Sequence, residues 1–283
     1  MSTVALETPL VFDCAGQSLL GVLHPAKDPA IRRGVLLVVG GPQYRVGSHR
    51  QFLLLARDLA VTGVPVLRFD YRGMGDSSGE LQDFSDVGED IGAAIDAFQQ
   101  ALPVVDEIVI WGLCDAASAA AFHGWRDPRI KGLVLVNPWI RTQAGEARTV
   151  LRHYYLRRVM SRDFWRKLLG GGVKLGKSMG EMRALRRRAR GGDSAQTPDG
   201  LDLPGRMLHG LGRFHGSVLL ILSGQDLVAQ EFLDHADSDP AWQQWLQGRA
   251  LTRRDLAAAD HTCSRKVWRD QVSTWTQEWL RSW

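Results

Sequence analysis

Cysteine is scarce in this chain: Cys14, Cys114 and Cys263 are the only three among 283 residues. Three thiols make no disulfide framework, and no Cys-x-x-Cys pair offers the spacing of a zinc site. No uninterrupted apolar run reaches membrane-spanning length. The start, Met1-Ser2-Thr3-Val4-Ala5-Leu6-Glu7, lacks the basic opening and long apolar stretch of a secretory signal, so cytoplasm is the expected compartment. Phosphate-binding glycine patterns are missing as well. Gly73-Met74-Gly75 is not a full dinucleotide fingerprint, and no lysine follows Gly40-Gly41 at P-loop spacing. The histidines are scattered rather than clustered, so no metal and no cofactor is expected. Finger spacings, recognition-helix signatures and aromatic–basic sheet motifs are absent, which argues against nucleic acid as a partner.

What is present suits a soluble enzyme. Hydrophobic residues make up 45% and charged residues 23% of the chain, ordinary values for a folded protein. The length allows one large domain or a core with one sizeable insertion. Net charge is +4, but it is unevenly spread. Residues 141–190 hold 15 Lys or Arg against 3 Asp or Glu, leaving the rest of the chain acidic. Such a field steers an anionic ligand or an acidic surface, or it is simply a solvated helical face whose arginine stems cover apolar core.

Short apolar runs alternate with helical patterns. Val11–Cys14 and Ser18–Leu23 read as strands joined by a tight turn at Ala15-Gly16-Gln17. Gly34–Val39, Val64–Phe69, Glu107–Trp111, Gly132–Val136 and Ser217–Leu222 read as further strands, and Leu251–Ala257 as the last one. Helices are expected over Gln51–Ala60, Gly88–Gln100, Ala116–Phe122, Trp242–Leu246 and Arg265–Leu280. This is the pattern of an α/β protein with a mostly parallel sheet. The alternation pauses from Ile140 to Phe214, where the chain is basic, polar and largely helical. The expected organisation is therefore a core of residues 1–139 and 215–283, with 140–214 as an inserted helical cap.

In such a sheet, reactive groups gather beyond the carboxyl ends of the strands. Cys114 follows one strand and precedes an alanine-rich helix, whose N-terminus favours the attacking thiolate. Asp226 follows Ser217–Leu222, and His261 lies between the last strand and the last helix. A cysteine nucleophile, a histidine base and an aspartate that orients it form a covalent-catalysis set. Asp115 N–H, next after the nucleophile, is the natural first oxyanion donor. The second is expected from the Gly40-Gly41-Pro42-Gln43 loop: Gln43 N–H first and Gly41 N–H as fallback, since Pro42 has none. Cys14 and Cys263 read as small buried residues.

Gly112-Leu113-Cys114-Asp115-Ala116 resembles the nucleophile elbow of α/β-hydrolases, Gly-x-Ser-x-Gly. Cysteine stands in place of serine, as in the dienelactone-hydrolase branch, and alanine replaces the last glycine. Asp226 and His261 match the acid and histidine of that superfamily in chain order. Asp70-Tyr71-Arg72-Gly73-Met74-Gly75-Asp76-Ser77 resembles its Asp-x-Arg-Gly-x-Gly-x-Ser loop. More narrowly, Gly40–Arg50 together with Arg68–Asp76 resembles the exosortase A system-associated hydrolase type 1 family. That resemblance implies a setting in bacterial exopolysaccharide production and PEP-CTERM protein sorting, with peripheral association with membrane glycan machinery.

The expected activity is hydrolysis of an ester or thioester through an acyl–Cys114 intermediate. The substrate is a small or carrier-bound acyl compound, anionic if the basic segment steers it. Arg45 and Arg50 are candidates to hold its carboxylate or phosphate, and His49 to line its pocket. The same triad permits acyl transfer. The alternative without chemistry is an α/β-hydrolase-like scaffold that binds a partner through its basic cap.

Overall fold

The computed structural model describes residues 7–26, 32–41, 43–140 and 200–283. Their centre is one eight-stranded sheet. In chain order the strands are β1 (Thr8–Cys14), β2 (Gln17–His24), β3 (Arg33–Val38), β4 (Val66–Asp70), β5 (Glu107–Leu113), β6 (Ile130–Val136), β7 (Ser217–Ser223) and β8 (Leu251–Leu256). Across the sheet the order is β1-β2-β4-β3-β5-β6-β7-β8. The β1–β2 and β2–β4 pairs are antiparallel, and every pair from β4 to β8 is parallel. This is the α/β-hydrolase fold.

The β1–β2 hairpin closes on Ala15 and Gly16, both at positive φ, the backbone sense that a two-residue hairpin loop requires. In the parallel strands both faces are buried, so they read as continuous apolar runs. Side chains alternate between two cores, as strand geometry demands. Leu36, Ile110, Leu135 and Leu220 join one core, while Leu37, Trp111, Val136 and Ile221 join the other.

The second core is covered by α1 (Gln51–Val61) and the closing helix Lys266–Leu280, here α7. Phe52, Leu55 and Leu59 recur at helical spacing on α1, and burying each is worth roughly 1.5–3 kcal/mol. The first core is covered by α2 (Gly88–Ala101), α3 (Asp115–His123), α4 (Leu203–Arg213), α5 (Leu227–Ser238) and α6 (Pro240–Leu246). Asp202 caps α4 by accepting from Gly205 N at 2.9 Å, and Asp239 caps α6 by accepting from Ala241 N at 2.8 Å. A proline follows each of these caps inside the first turn.

Within the expected insertion 140–214, Leu203–Arg213 packs against α3, with Met207 and Leu211 buried in the first core. A Cβ at Gly210 would lie 2.0 Å from the Ala121 carbonyl oxygen, so this glycine allows a close contact between helices. The rest of that segment, 141–199, lies outside the described residues, and the basic cap lies with it. Among the described residues no helix is long and apolar enough to cross a membrane.

The loop after β4 is held by a buried carboxylate. Asp70 is fully buried and accepts from Arg45 N at 2.7 Å and Asp76 N at 3.3 Å, and its carboxylate pairs with the Arg45 guanidinium. Burial raises the Asp70 pKa, and Arg45 pulls it back. A Cβ at Gly75 would strike this carboxylate at 2.2 Å, which explains the second glycine of the loop. Arg72 turns to Asp90 at the start of α2, its guanidinium 2.8 Å from that buried carboxylate. Asp70→Ala should cost about 3–5 kcal/mol, because it strands a buried guanidinium. Urea denaturation is the check; a loss under about 1 kcal/mol would show that Asp76 alone satisfies Arg45.

Candidate active site

β5 delivers Cys114 at a sharp turn into α3. Cys114 has φ 62° and ψ −124°, a conformation that non-glycine residues rarely adopt. The turn is held from both sides. Cys114 N donates to Val136 O at 2.9 Å, while Cys114 O accepts from Ala117 N at 3.0 Å and Trp139 N at 3.2 Å. A Cβ at Gly112 would lie 2.6 Å from Ala116 backbone atoms, so the elbow needs glycine there. Ala116, in place of the last glycine of the pattern, is buried without conflict. The Cys114 side chain is half-buried.

The other two members of the set converge on it. His261 Nδ1 lies 2.8 Å from Asp226 Oδ2, and the His261 ring is close enough to Cys114 for the two to interact electrostatically. Burial alone would lower the His261 pKa; the interactions with Asp226 and Cys114 outweigh it and push it up to about 10. A pKa this high favours the imidazolium form at neutral pH. Asp226 has a second task as the N-cap of α5, accepting from Val228 N at 3.1 Å and Ala229 N at 3.4 Å. These bonds fix the carboxylate that fixes the imidazole.

Asn137 has no assigned role in the sequence, yet it organises this edge. It is fully buried at positive φ, a backbone state that asparagine tolerates better than most residues. Its Nδ2 donates to Ser223 Oγ and to His261 O, both at 3.0 Å, and its Oδ1 accepts from Ser223 N at 2.8 Å. One side chain thus ties the ends of β6 and β7 to the histidine loop. Its signal in the sequence is an asparagine ending an apolar strand just before a proline. The loop is closed further by Asp260, which accepts from Ser264 N at 2.9 Å and from the Ser264 hydroxyl.

The expected oxyanion donors are arranged differently from the sequence-based picture. Gly41 N donates to Asp115 Oδ2 at 2.6 Å, and Gln43 N donates to Gly41 O at 2.7 Å. The Asp115 carboxylate also accepts from Ala116 N at 3.0 Å. Burial raises the Asp115 pKa, and the surrounding backbone N–H groups counter it. A Cβ on Gly40 would lie 2.0 Å from this carboxylate, so glycine makes its room. The N–H groups beside the nucleophile thus gather around the chain's own carboxylate.

Of the expected substrate contacts, Arg45 is corrected. Its guanidinium is buried and shared between Asp70 and Asp76, the latter at 2.8 Å, and it stacks over the Tyr44 ring at 4.2 Å. Two carboxylates already neutralise it, so it holds the loop and is not an open anion contact. His49 is exposed. Arg50 is exposed at the entry to α1 and borders a separate cavity described below.

Comparison with known proteins agrees with the fold. The family model for serine aminopeptidase, S33, matches residues 32–188. An esterase of Pyrococcus furiosus, Pf2001, superposes with a TM-score of 0.67 at 15% identity, covering 98% of this chain and 91% of that one. Est1E of Butyrivibrio proteoclasticus, solved with ferulic acid bound, gives 0.62 at 16% identity over 96% of this chain and 97% of its own. The α/β-hydrolase GrgF of a Penicillium species gives 0.61 at 20% identity, with 98% and 97% covered. No curated protein matches the chain in sequence. With the elbow, the strand order and the family match in agreement, the chain belongs to the serine aminopeptidase S33 family of α/β-hydrolases.

Proposed function

We propose that the chain hydrolyses an ester or thioester through an acyl–Cys114 intermediate. The observation that supports this most is the His261–Asp226 hydrogen bond, with His261 interacting with Cys114 on its strained elbow. Cys114 Sγ attacks the acyl carbon, and the carbonyl electrons move onto oxygen. When the tetrahedral intermediate collapses, the bond to the alcohol or thiol breaks, and His261 protonates that leaving group. The now neutral His261 takes a proton from water. The resulting hydroxide adds to the thioester, and the acid and the Cys114 thiol are released. Asp115 N–H and Gly41 N–H serve the oxyanion once the Asp115 carboxylate turns away from them.

Within this reading the substrate is a small or carrier-bound acyl compound. The basic 141–190 segment favours an anionic one. The motif resemblance favours a cytoplasmic role beside exosortase-linked exopolysaccharide machinery. Acyl transfer follows from the same triad where an alcohol or amine outcompetes water.

One observation favours a second reading. The Asp115 carboxylate occupies the Gly41 N–H that an oxyanion would need. In a non-catalytic, partner-binding scaffold that contact would be permanent. Intact-protein mass spectrometry with activated esters and thioesters of graded acyl size separates the two. The expected result is a transient acyl mass on the wild-type chain that maps to Cys114. Absence of any adduct under rapid quench across the whole panel would favour the scaffold.

A further inference from the structure

A second cavity of about 340 Å³ lies between α1 and α7, beneath the ends of β5 and β6. Neither Cys114, Asp226 nor His261 lines it, so it is separate from the triad. Its volume falls within the range of small-molecule sites. Leu54 and Leu55 of α1, Val136 of β6 and Val272 of α7 give it apolar walls.

Two of its lining side chains carry buried hydrogen-bond donors with no acceptor among the described residues: Gln51 Nε2 and Trp111 Nε1. Gln51 is 9% exposed and Trp111 is 3% exposed. A buried polar group without a partner costs roughly 1–3 kcal/mol, so two around one cavity call for a ligand that supplies acceptors. The indole fixes the sign, because it can only donate. The rim carries Arg50, Lys266 and Arg269 against Asp58 and Asp270. Asp270 is already engaged by Lys266 at 2.5 Å. The remaining balance is positive. Arg50 is held at this edge by two successive left-handed residues, His49 at φ 53° and Arg50 at φ 60°.

We infer that this cavity binds a small amphipathic carboxylate, its apolar body between α1 and α7 and its carboxylate among the donors of Gln51, Trp111 and the cationic rim. The site also touches the catalytic edge. Cys263 lines the cavity two residues beyond His261, and its Sγ lies 3.9 Å from Ser223 Oγ, which Asn137 ties to His261 O.

Octanoate is the probe, titrated calorimetrically into the full chain, with 1-octanol as the neutral control. The wild type should bind one octanoate, and octanol should bind about tenfold more weakly or worse, because it lacks the charge-assisted bonds. Leu54→Trp fills the cavity from a half-buried position and should weaken octanoate about tenfold or more. Lys266→Glu, on an exposed side chain that does not endanger the fold, should weaken octanoate about fivefold and leave octanol unchanged. The inference is overturned by no binding at millimolar octanoate, by equal affinity for octanol, or by undiminished binding in both variants. That last outcome would place the ligand at the acyl site. None of these readings requires turnover, so the inference stands or falls apart from the activity of Cys114.

Discussion

Cys114→Ala should reduce ester or thioester turnover by roughly 10⁵-fold or more while the fold is retained, as expected when the nucleophile of a cooperating set is removed. The elbow is held by main-chain bonds: Cys114 N to Val136 O, and Cys114 O to Ala117 N and Trp139 N. Alanine preserves all of them, and it adds no atom to a turn that already tolerates a Cβ. Its circular dichroism and urea midpoint should therefore stay close to wild type. The His261 ring should report the loss directly. One of the interactions that raise its pKa is the one with Cys114, so its apparent pKa should fall below about 10 in the variant. Single-turnover kinetics on a thioester and imidazole NMR titration are the two measurements. Turnover within tenfold of wild type in protein free of contaminating esterase would remove Cys114 from the chemistry, whatever its geometry.

That Cys114, Asp226 and His261 reach one edge of the sheet was legible because each stands at a strand end. Apolar runs mark β5, β7 and β8, and in a parallel sheet the residue after each run arrives at the same edge. Cys114 carries the further mark of Gly112 two positions earlier, where a Cβ would meet the first turn of α3. The tie between Asp226 and α5 was harder to see. Leu227–Ser238 is not among the expected helices, although Val228, Phe232 and Ala236 recur at helical spacing, and the acid that begins it reads as part of a polar turn. Only the geometry shows one carboxylate serving as both helix cap and partner of His261.

Contacts between loops distant in sequence left no local trace. Arg45 suggested an open anion contact because it follows the glycine loop, but its partner Asp70 lies 25 residues away and buries it. Asp115 entered as an oxyanion donor through its N–H. That its carboxylate would fold back onto Gly41, 74 residues earlier, depends on the room left by Gly40. In α4 the close approach at Gly210, where the helix meets Ala121, likewise left no mark in the sequence. Residue type announced the chemistry, and spatial proximity decided which polar groups were already spoken for.

Asp226→Asn separates the two tasks of that residue. Asparagine caps helices about as well as aspartate, so the bonds to Val228 N and Ala229 N have a replacement acceptor and α5 should hold. The amide cannot balance an imidazolium, and it can present its N–H₂ to His261 and so favour the wrong tautomer. A fall in kcat of about 10⁴ is expected. Asp226→Ala should lose a similar rate and about 1 kcal/mol more stability, through the missing cap. The pH dependence gives an independent readout. In the wild type the His261 pKa is raised from 6.5 to about 10. A raised folded-state pKa contributes stability that is fully present below the unfolded value and is lost as pH rises through the folded value. The stability gap between wild type and Asp226→Asn should therefore be widest below about pH 6.5 and shrink as pH approaches 10. Urea denaturation across that range measures it. A gap independent of pH, or an Asp226→Asn variant whose His261 still titrates near 10, would show that Asp226 acts on this site only as the cap of α5.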